Sequence, residues 1–189
     1  MFIYDDNFLD QFTINEINNI FKSSENKWGY NPTTLEQDYY NYNEIVSSEE
    51  FGDTQYFHMS PDPGSRAHEF ASIVANKFMS KNNMPNFNIS RIRFNITPTV
   101  DKSFITRPHV DWSEPHFVLL YYANNANGDT IIYNETYNGS KIEKVSVMEQ
   151  VSPKMGSAFL VSGDHYHSVV VPQSGDLRKV INFNLTIVS

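Results

Sequence analysis

The spacing of apolar positions changes near residue 87, from a helical period to alternation. Ahead of that point Ile14, Ile17, Ile20 and Phe21 recur at helical spacing and predict an amphipathic helix over 14–22. Thr13-Ile14-Asn15-Glu16 has the form of a capping box at its start. Ala67, Phe70, Ala71, Val74 and Phe78 make a stronger stripe, opened by the turn residues Pro61-Asp62-Pro63-Gly64 and closed near Lys81-Asn82-Asn83. Phe2-Ile3-Tyr4 is a short strand candidate. Residues 23–62 carry tyrosines (Tyr30, Tyr39, Tyr40, Tyr42) and few periodic apolar positions, which predicts loops with short strands and a candidate lid.

From Phe87 to Thr97 the pattern alternates, with Ile92, Phe94 and Ile96 on one face and Arg91, Arg93 and Asn95 on the other. Further β-like runs follow near 104–111, 116–123, 129–135, 142–148, 157–162, 166–171 and 178–188, separated by turn residues such as Asn138-Gly139 and Gly163-Asp164. About eight short strands at this spacing predict a β-sandwich or jelly roll. Because both helices precede the strands, they should pack on one sheet instead of crossing between parallel strands. The expected fold class is mainly β with flanking N-terminal helices (α+β). A single domain is expected over 1–189, with a helical and loop-rich part over 1–86 and a β core over 87–189. In the last run Lys179, Ile181, Phe183, Leu185 and Ile187 share a mostly apolar face. Arg178, Val180, Asn182, Asn184 and Thr186 share the other, and a polar face on a central strand points to a polar cavity.

Composition narrows the chemistry. The 189 residues suffice for a sizeable core, and 14 Phe and 11 Tyr favour β structure. A formal charge of −8 makes nucleic acid an improbable partner. There is no cysteine, so disulfides, zinc–thiolate sites and thiol nucleophiles drop out, and any metal must be held by His, Asp or Glu. Neither a signal peptide nor an apolar run of membrane-spanning length is visible, so the expectation is a soluble, cytoplasmic protein without membrane contact.

Against that background the stretch Arg107-Pro108-His109-Val110-Asp111-Trp112 stands out. Residues two apart in a strand share a face, so His109 and Asp111 can present an imidazole and a carboxylate together. A histidine from Asp164-His165-Tyr166-His167-Ser168 would complete two nitrogens and one oxygen on one side of a metal. That leaves the opposite positions open, as non-haem Fe(II) oxygenases require. If the strand is regular, His165 and His167 fall on one face and geometry does not separate them. Arg178, at the start of an apolar strand, is well placed to hold a carboxylate. Arg91, Arg93 and Asn95 line either a cavity mouth or an exposed sheet face. Trp112 and His116 either border a substrate or pack within a loop, and His58 and His68 read as surface residues.

On His109-x-Asp111, Leu120-Tyr121-Tyr122-Ala123-Asn124, Asn127-Gly128-Asp129-Thr130, Pro153-x-x-Gly156, Tyr166-His167-Ser168 and Arg178, the sequence resembles the Fe(II)/2-oxoglutarate-dependent dioxygenases. It is most similar to their prolyl-hydroxylase-like branch. The resemblance spans residues 87–188 and, more faintly, 14–22. It implies a double-stranded β-helix (jelly roll, cupin-like). It also implies His109, Asp111 and His167 as iron ligands, Arg178 on the distal carboxylate of 2-oxoglutarate, and Tyr122 bonding the same carboxylate. The spacing to Arg178 and the following Ser168 favour His167 over His165. Many relatives carry Ser or Thr two residues after the arginine, where this chain has Val180. The implied activity is hydroxylation of an unactivated C–H of a prolyl, other peptidyl or small-molecule substrate. It would use Fe(II), 2-oxoglutarate and O₂, with ascorbate as a possible reductant, and release succinate and CO₂. The competing readings are a non-catalytic, cupin-like small-ligand-binding protein and a metal-dependent isomerase or hydrolase on the same barrel. Neither needs a buried guanidinium at Arg178. Specificity is expected from 23–62 and from the loop 99–107.

Overall fold

A computed structural model describes residues 1–31, 51–84, 86–139, 142 and 144–188. Tyr39, Tyr40 and Tyr42, and with them residues 32–50 of the candidate lid, lie outside the described residues. In chain order the elements are β1 (Phe2–Asp5), α1 (Gln11–Lys22), β2 (Gly29–Asn31), β3 (Phe51–Gly52), β4 (Tyr56–Met59), α2 (Arg66–Lys81), β5 (Phe87–Thr97), β6 (Ile105–Thr106), β7 (Phe117–Tyr122), β8 (Thr130–Thr136), β9 (Val147–Val151), β10 (Ala158–Ser162), β11 (His165–Val169) and β12 (Arg178–Ile187). Among the described residues they form an antiparallel sheet ordered β1-β10-β7-β12-β5-β4-β2 and a small antiparallel sheet ordered β11-β8-β9. A short parallel pair, β3-β6, is separate.

Both helices lie on the outer face of the large sheet, as their position ahead of the strands predicts. Ile17, Phe21, Val74 and Phe78 from the helices meet Phe94, Leu119, Ile181 and Phe183 from the sheet in one buried cluster. The stripe read for α2 is the face that is buried. The start of α1 differs from the capping-box expectation. Asp10 is the N-cap: its carboxylate accepts from Thr13 N (2.8 Å), while Thr13 is buried inside the first turn. A carboxylate three residues earlier competes successfully for the same backbone donor. Glu16 instead pairs with Arg66 of α2.

The inner face of the large sheet meets the small sheet. Val118, Leu120, Tyr122, Phe159 and Val180 pack against Ile132 and Val151, closing one end of the gap with apolar side chains. Two strands are displaced from their expected bounds. The run 104–111 keeps only β6 and an isolated pairing at His109, because Pro108 has no N–H to give a ladder. The run 142–148 becomes β9 three to five residues later. Ile142 and Val145 instead pack over Ile131, Tyr133 and Tyr166 on the outer face of the small sheet. No described helix is long and apolar enough to cross a membrane.

Candidate metal centre

At the other end of the gap, alternation on β5 and β12 turns polar side chains inward. Arg178 lies opposite Thr97, Val180 opposite Asn95, Asn182 opposite Arg93 and Asn184 opposite Arg91. Residues directly opposed in an antiparallel pair point to the same face. These rows therefore form a polar band on the sheet, and most of them line a cavity shared with Thr130, His167 and Val169 of the small sheet. Arg91, Arg93 and Asn95 belong to this cavity wall.

His109 and His167 are brought together by backbone pairing. His109 N donates to His167 O (3.0 Å) and His167 N donates to His109 O (2.9 Å). Such a doubly bonded pair puts both imidazoles on one side, with ring centroids 4.5 Å apart. His109 Nδ1 lies 3.1 Å from the carbonyl of Arg107 and donates to it, which leaves Nε2 as the basic nitrogen. His167 Nδ1 faces the carbonyl of His165 at 3.5 Å. Asp111 completes the group: one ligand atom from each of His109, Asp111 and His167 lies within 4.8 Å of the others, and Oδ1 of Asp111 is 3.8 Å from Nε2 of His167.

His165 stands apart from this group. The pairing of β11 with β8 slips between the two histidines: His167 lies opposite Ile132 but His165 lies opposite Thr136. The extra residues of the slip lie on β8, between Ile132 and Thr136. His165 Nδ1 donates to the carbonyl of Tyr133 (2.8 Å), and the residue does not line the cavity.

Charge in the group suits a cation. Burial alone would raise the carboxyl of Asp111. The neighbouring His167, Arg91 and His109, with the Asn184 hydrogen bond, outweigh burial and lower it. Asp111 is therefore held well below the usual carboxylate range and is ionised. Burial, then the neighbouring His109, push His167 down to about 4, so its imidazole is neutral near pH 7. Two imidazoles and one carboxylate, with no thiolate in the chain, make a donor set that fits Fe(II).

Arg178 sits at the far end of the cavity and is 3% exposed. Its Nε donates to Gly128 O (3.0 Å) and its Nη2 to Thr130 Oγ1 (2.7 Å). Tyr122 lies beneath it, with the guanidinium carbon 5.5 Å from the ring centroid. The Tyr122 hydroxyl is shared with Thr130 Oγ1 (2.7 Å) and Val151 O (3.1 Å), and Tyr122 is not among the cavity-lining residues. Thr130 occupies the position next to the guanidinium. Sequence reasoning did not single it out, although it lies in the Asn127-to-Thr130 stretch. Val180 lines the cavity between the two ends.

Trp112 and His116 turn away from the cavity. They contact one another (5.4 Å) at a separate cleft lined also by Tyr137 and Asp164, and Trp112 stacks on Arg91 (5.3 Å). The ring of His116 rests against Gly163, where a Cβ would come within 2.3 Å of Nε2.

No protein-family model and no curated protein matches the sequence. Solved structures do match. A 2OG-Fe(II) oxygenase family oxidoreductase from Burkholderia pseudomallei is 11% identical over 98% of this chain and 84% of that one, with TM-score 0.65. A prolyl hydroxylase from Trichoplax adhaerens, in complex with a hypoxia inducible factor oxygen degradation domain peptide fragment, is 17% identical over 97% and 82%, with TM-score 0.61. The epimerase SnoN, in complex with Fe3+, alpha ketoglutarate and nogalamycin RO, is 11% identical over 98% and 78%, with TM-score 0.63. The fold is the one those proteins share, a double-stranded β-helix, and in this chain it brings His109, Asp111 and His167 together.

Proposed function

We propose, with that shared fold as the premise, that this chain is an Fe(II)- and 2-oxoglutarate-dependent dioxygenase that hydroxylates an unactivated C–H bond of a peptidyl or small-molecule substrate. The observation that carries the reading is one cavity with a His-Asp-His group at one end and a buried arginine at the other. A dicarboxylate can span these two features. His109, Asp111 and His167 would hold the iron, and Arg178 the distal carboxylate of 2-oxoglutarate. Thr130 stands beside the guanidinium, and Tyr122 supports Thr130 from below.

When bound, iron with 2-oxoglutarate supplies the oxidative chemistry: 2-oxoglutarate, O₂ and substrate C–H become succinate, CO₂ and an alcohol. The chain's own contribution is positional. His109, Asp111 and His167 would hold the metal and leave co-substrate and O₂ access to it. Arg178 offers N–H groups in a fork that matches a carboxylate in one plane, which a lysine cannot reproduce. The apolar floor of Leu120 and Val180 keeps water from the middle of the cavity. A peptidyl substrate accords with the fold partner that binds a peptide fragment, a small molecule with the one that binds nogalamycin RO.

The test is an anaerobic titration of 2-oxoglutarate into the Fe(II) protein, followed by its visible charge-transfer band. The unmodified chain develops the band, while His109→Ala, Asp111→Ala and His167→Ala do not. Removing one partner of a buried ion pair costs about 3–5 kcal/mol, roughly two to four decades in affinity. Arg178→Ala therefore raises the constant for 2-oxoglutarate by at least about a hundredfold and leaves Fe(II) binding nearly intact. A merely structural arginine would lower the melting temperature and leave the titration unchanged. Absence of the band in the unmodified protein sinks the oxygenase reading.

A further inference from the structure

Three donors converge on one oxygen of Asp111. Nδ2 of Asn182 and Nδ2 of Asn184 each donate to Oδ2 at 2.9 Å, and Nη2 of Arg91 lies 3.2 Å from the same atom. Oδ1, by contrast, is the atom turned toward Nε2 of His167. The clamp is itself fixed. Arg91 Nε donates to Asn184 Oδ1 (2.6 Å), its guanidinium lies over the ring of Trp112, and Arg91 and Asn184 are directly opposed on β5 and β12. Each asparagine amide is oriented unambiguously, because a carboxylate oxygen can only accept and so must face the NH₂.

We propose that Arg91, Asn182 and Asn184 are positioning residues that restrict Asp111 to one-oxygen ligation and so keep a coordination position open. The inference rests on the metal-centre reading above. A carboxylate oxygen has about two lone-pair sites, which the two asparagine hydrogen bonds fill, while the Arg91 guanidinium adds its charge beside them. Rotating the carboxylate to offer both oxygens to a metal would break at least two charge-assisted hydrogen bonds in a buried site. With two imidazoles and one carboxylate oxygen bound, an octahedral ion keeps three positions. With both oxygens bound it keeps only two, too few for a chelating oxoacid and O₂ together.

The test uses Co(II) as the metal probe, without O₂, and reads two quantities that a purely structural role would not move. One is the visible absorption of bound Co(II), which reports coordination number. The other is the affinity of the Co(II) protein for 2-oxoglutarate. In Asn182→Ala and in Arg91→Gln, Co(II) still binds but its absorption changes intensity and shape. 2-Oxoglutarate binding weakens about tenfold to a hundredfold, the usual range for partners that orient a metal ligand. Arg91→Lys keeps the charge but not the fork, and it shows the same change in smaller degree. If Arg91→Gln fails to fold, Asn182→Ala decides, since it removes a donor without touching the Arg91–Asn184 pair. Variants that fold and match the unmodified protein in both quantities overturn the proposal. Failure of the unmodified protein to bind Co(II) overturns the metal-centre reading and this inference with it. Binding of Co(II) but not of 2-oxoglutarate overturns only the oxygenase reading, and the Co(II) absorption still judges the clamp.

Discussion

His165 and His167 are separated by one tyrosine, yet His167 joins a buried charged group and His165 bonds the Tyr133 carbonyl of β8. Strand alternation alone did not separate the two; the resemblance, through the spacing to Arg178 and the following Ser168, favoured His167, and the structure groups His167 with His109 and Asp111. His165→Ala is expected to keep metal binding and His167→Ala to lose it, as measured by Co(II) titration. His109 and Asp111 were legible because their chemistry is local. The asparagines that hold Asp111 were only half legible: alternation put Asn182 and Asn184 on the face of Arg178, but nothing in their spacing named their partner. His167 also sets a pH dependence. The folded chain keeps its imidazole neutral down to about pH 4, whereas the unfolded chain takes a proton near 6.5. Between those values the unfolded state binds more protons, so stability falls as pH drops through that window, by up to about 3 kcal/mol in the metal-free protein. As pH falls below 3.8, the ordinary value for Asp111, the stability from its depressed carboxyl is progressively lost as well. Denaturant midpoints at pH 7 and 4.5 check this, and His167→Gln should flatten the slope.

At the scale of elements, strong periodicity was a good guide and boundaries were not. The α2 stripe and the alternation of β5 and β12 each buried the expected face, because burial of a whole face outweighs any single residue. Ends depend on single competitors instead: Asp10 for the cap of α1, Pro108 for the break after β6, and the packing of Ile142 and Val145 for the late start of β9. The turn between β7 and β8 shows how an element's end reaches the site. Gly128 has φ +102°, and a Cβ there would lie 2.6 Å from Val170 O. Its own carbonyl accepts from Arg178 Nε. Gly128→Ala is expected to cost on the order of 2 kcal/mol in stability, from backbone strain and the contact with Val170. It should also weaken 2-oxoglutarate binding, because the guanidinium must shift with the carbonyl. Chemical denaturation and the same charge-transfer titration read the two effects separately.

Across the whole molecule, the jelly-roll expectation was legible from the count and spacing of strands, whereas which strand neighbours which was not. Strand order is a long-range property: β12 lies between β5 and β7, and β1 pairs with β10. That order has a consequence for how the chain comes to be folded. The strand at the middle of the large sheet is the last of the described strands to leave the ribosome. Until it does, β5 and β7 have no ladder between them, both helices lack the Ile181 and Phe183 side of their shared core, and Asp111 has no asparagines to meet it. Contacts this distant in sequence make folding slow and leave apolar strands uncovered for longer. A nascent chain arrested before residue 178 should therefore be open to protease along its length. Ten residues more, once clear of the exit tunnel, should convert it in one cooperative step to a resistant form.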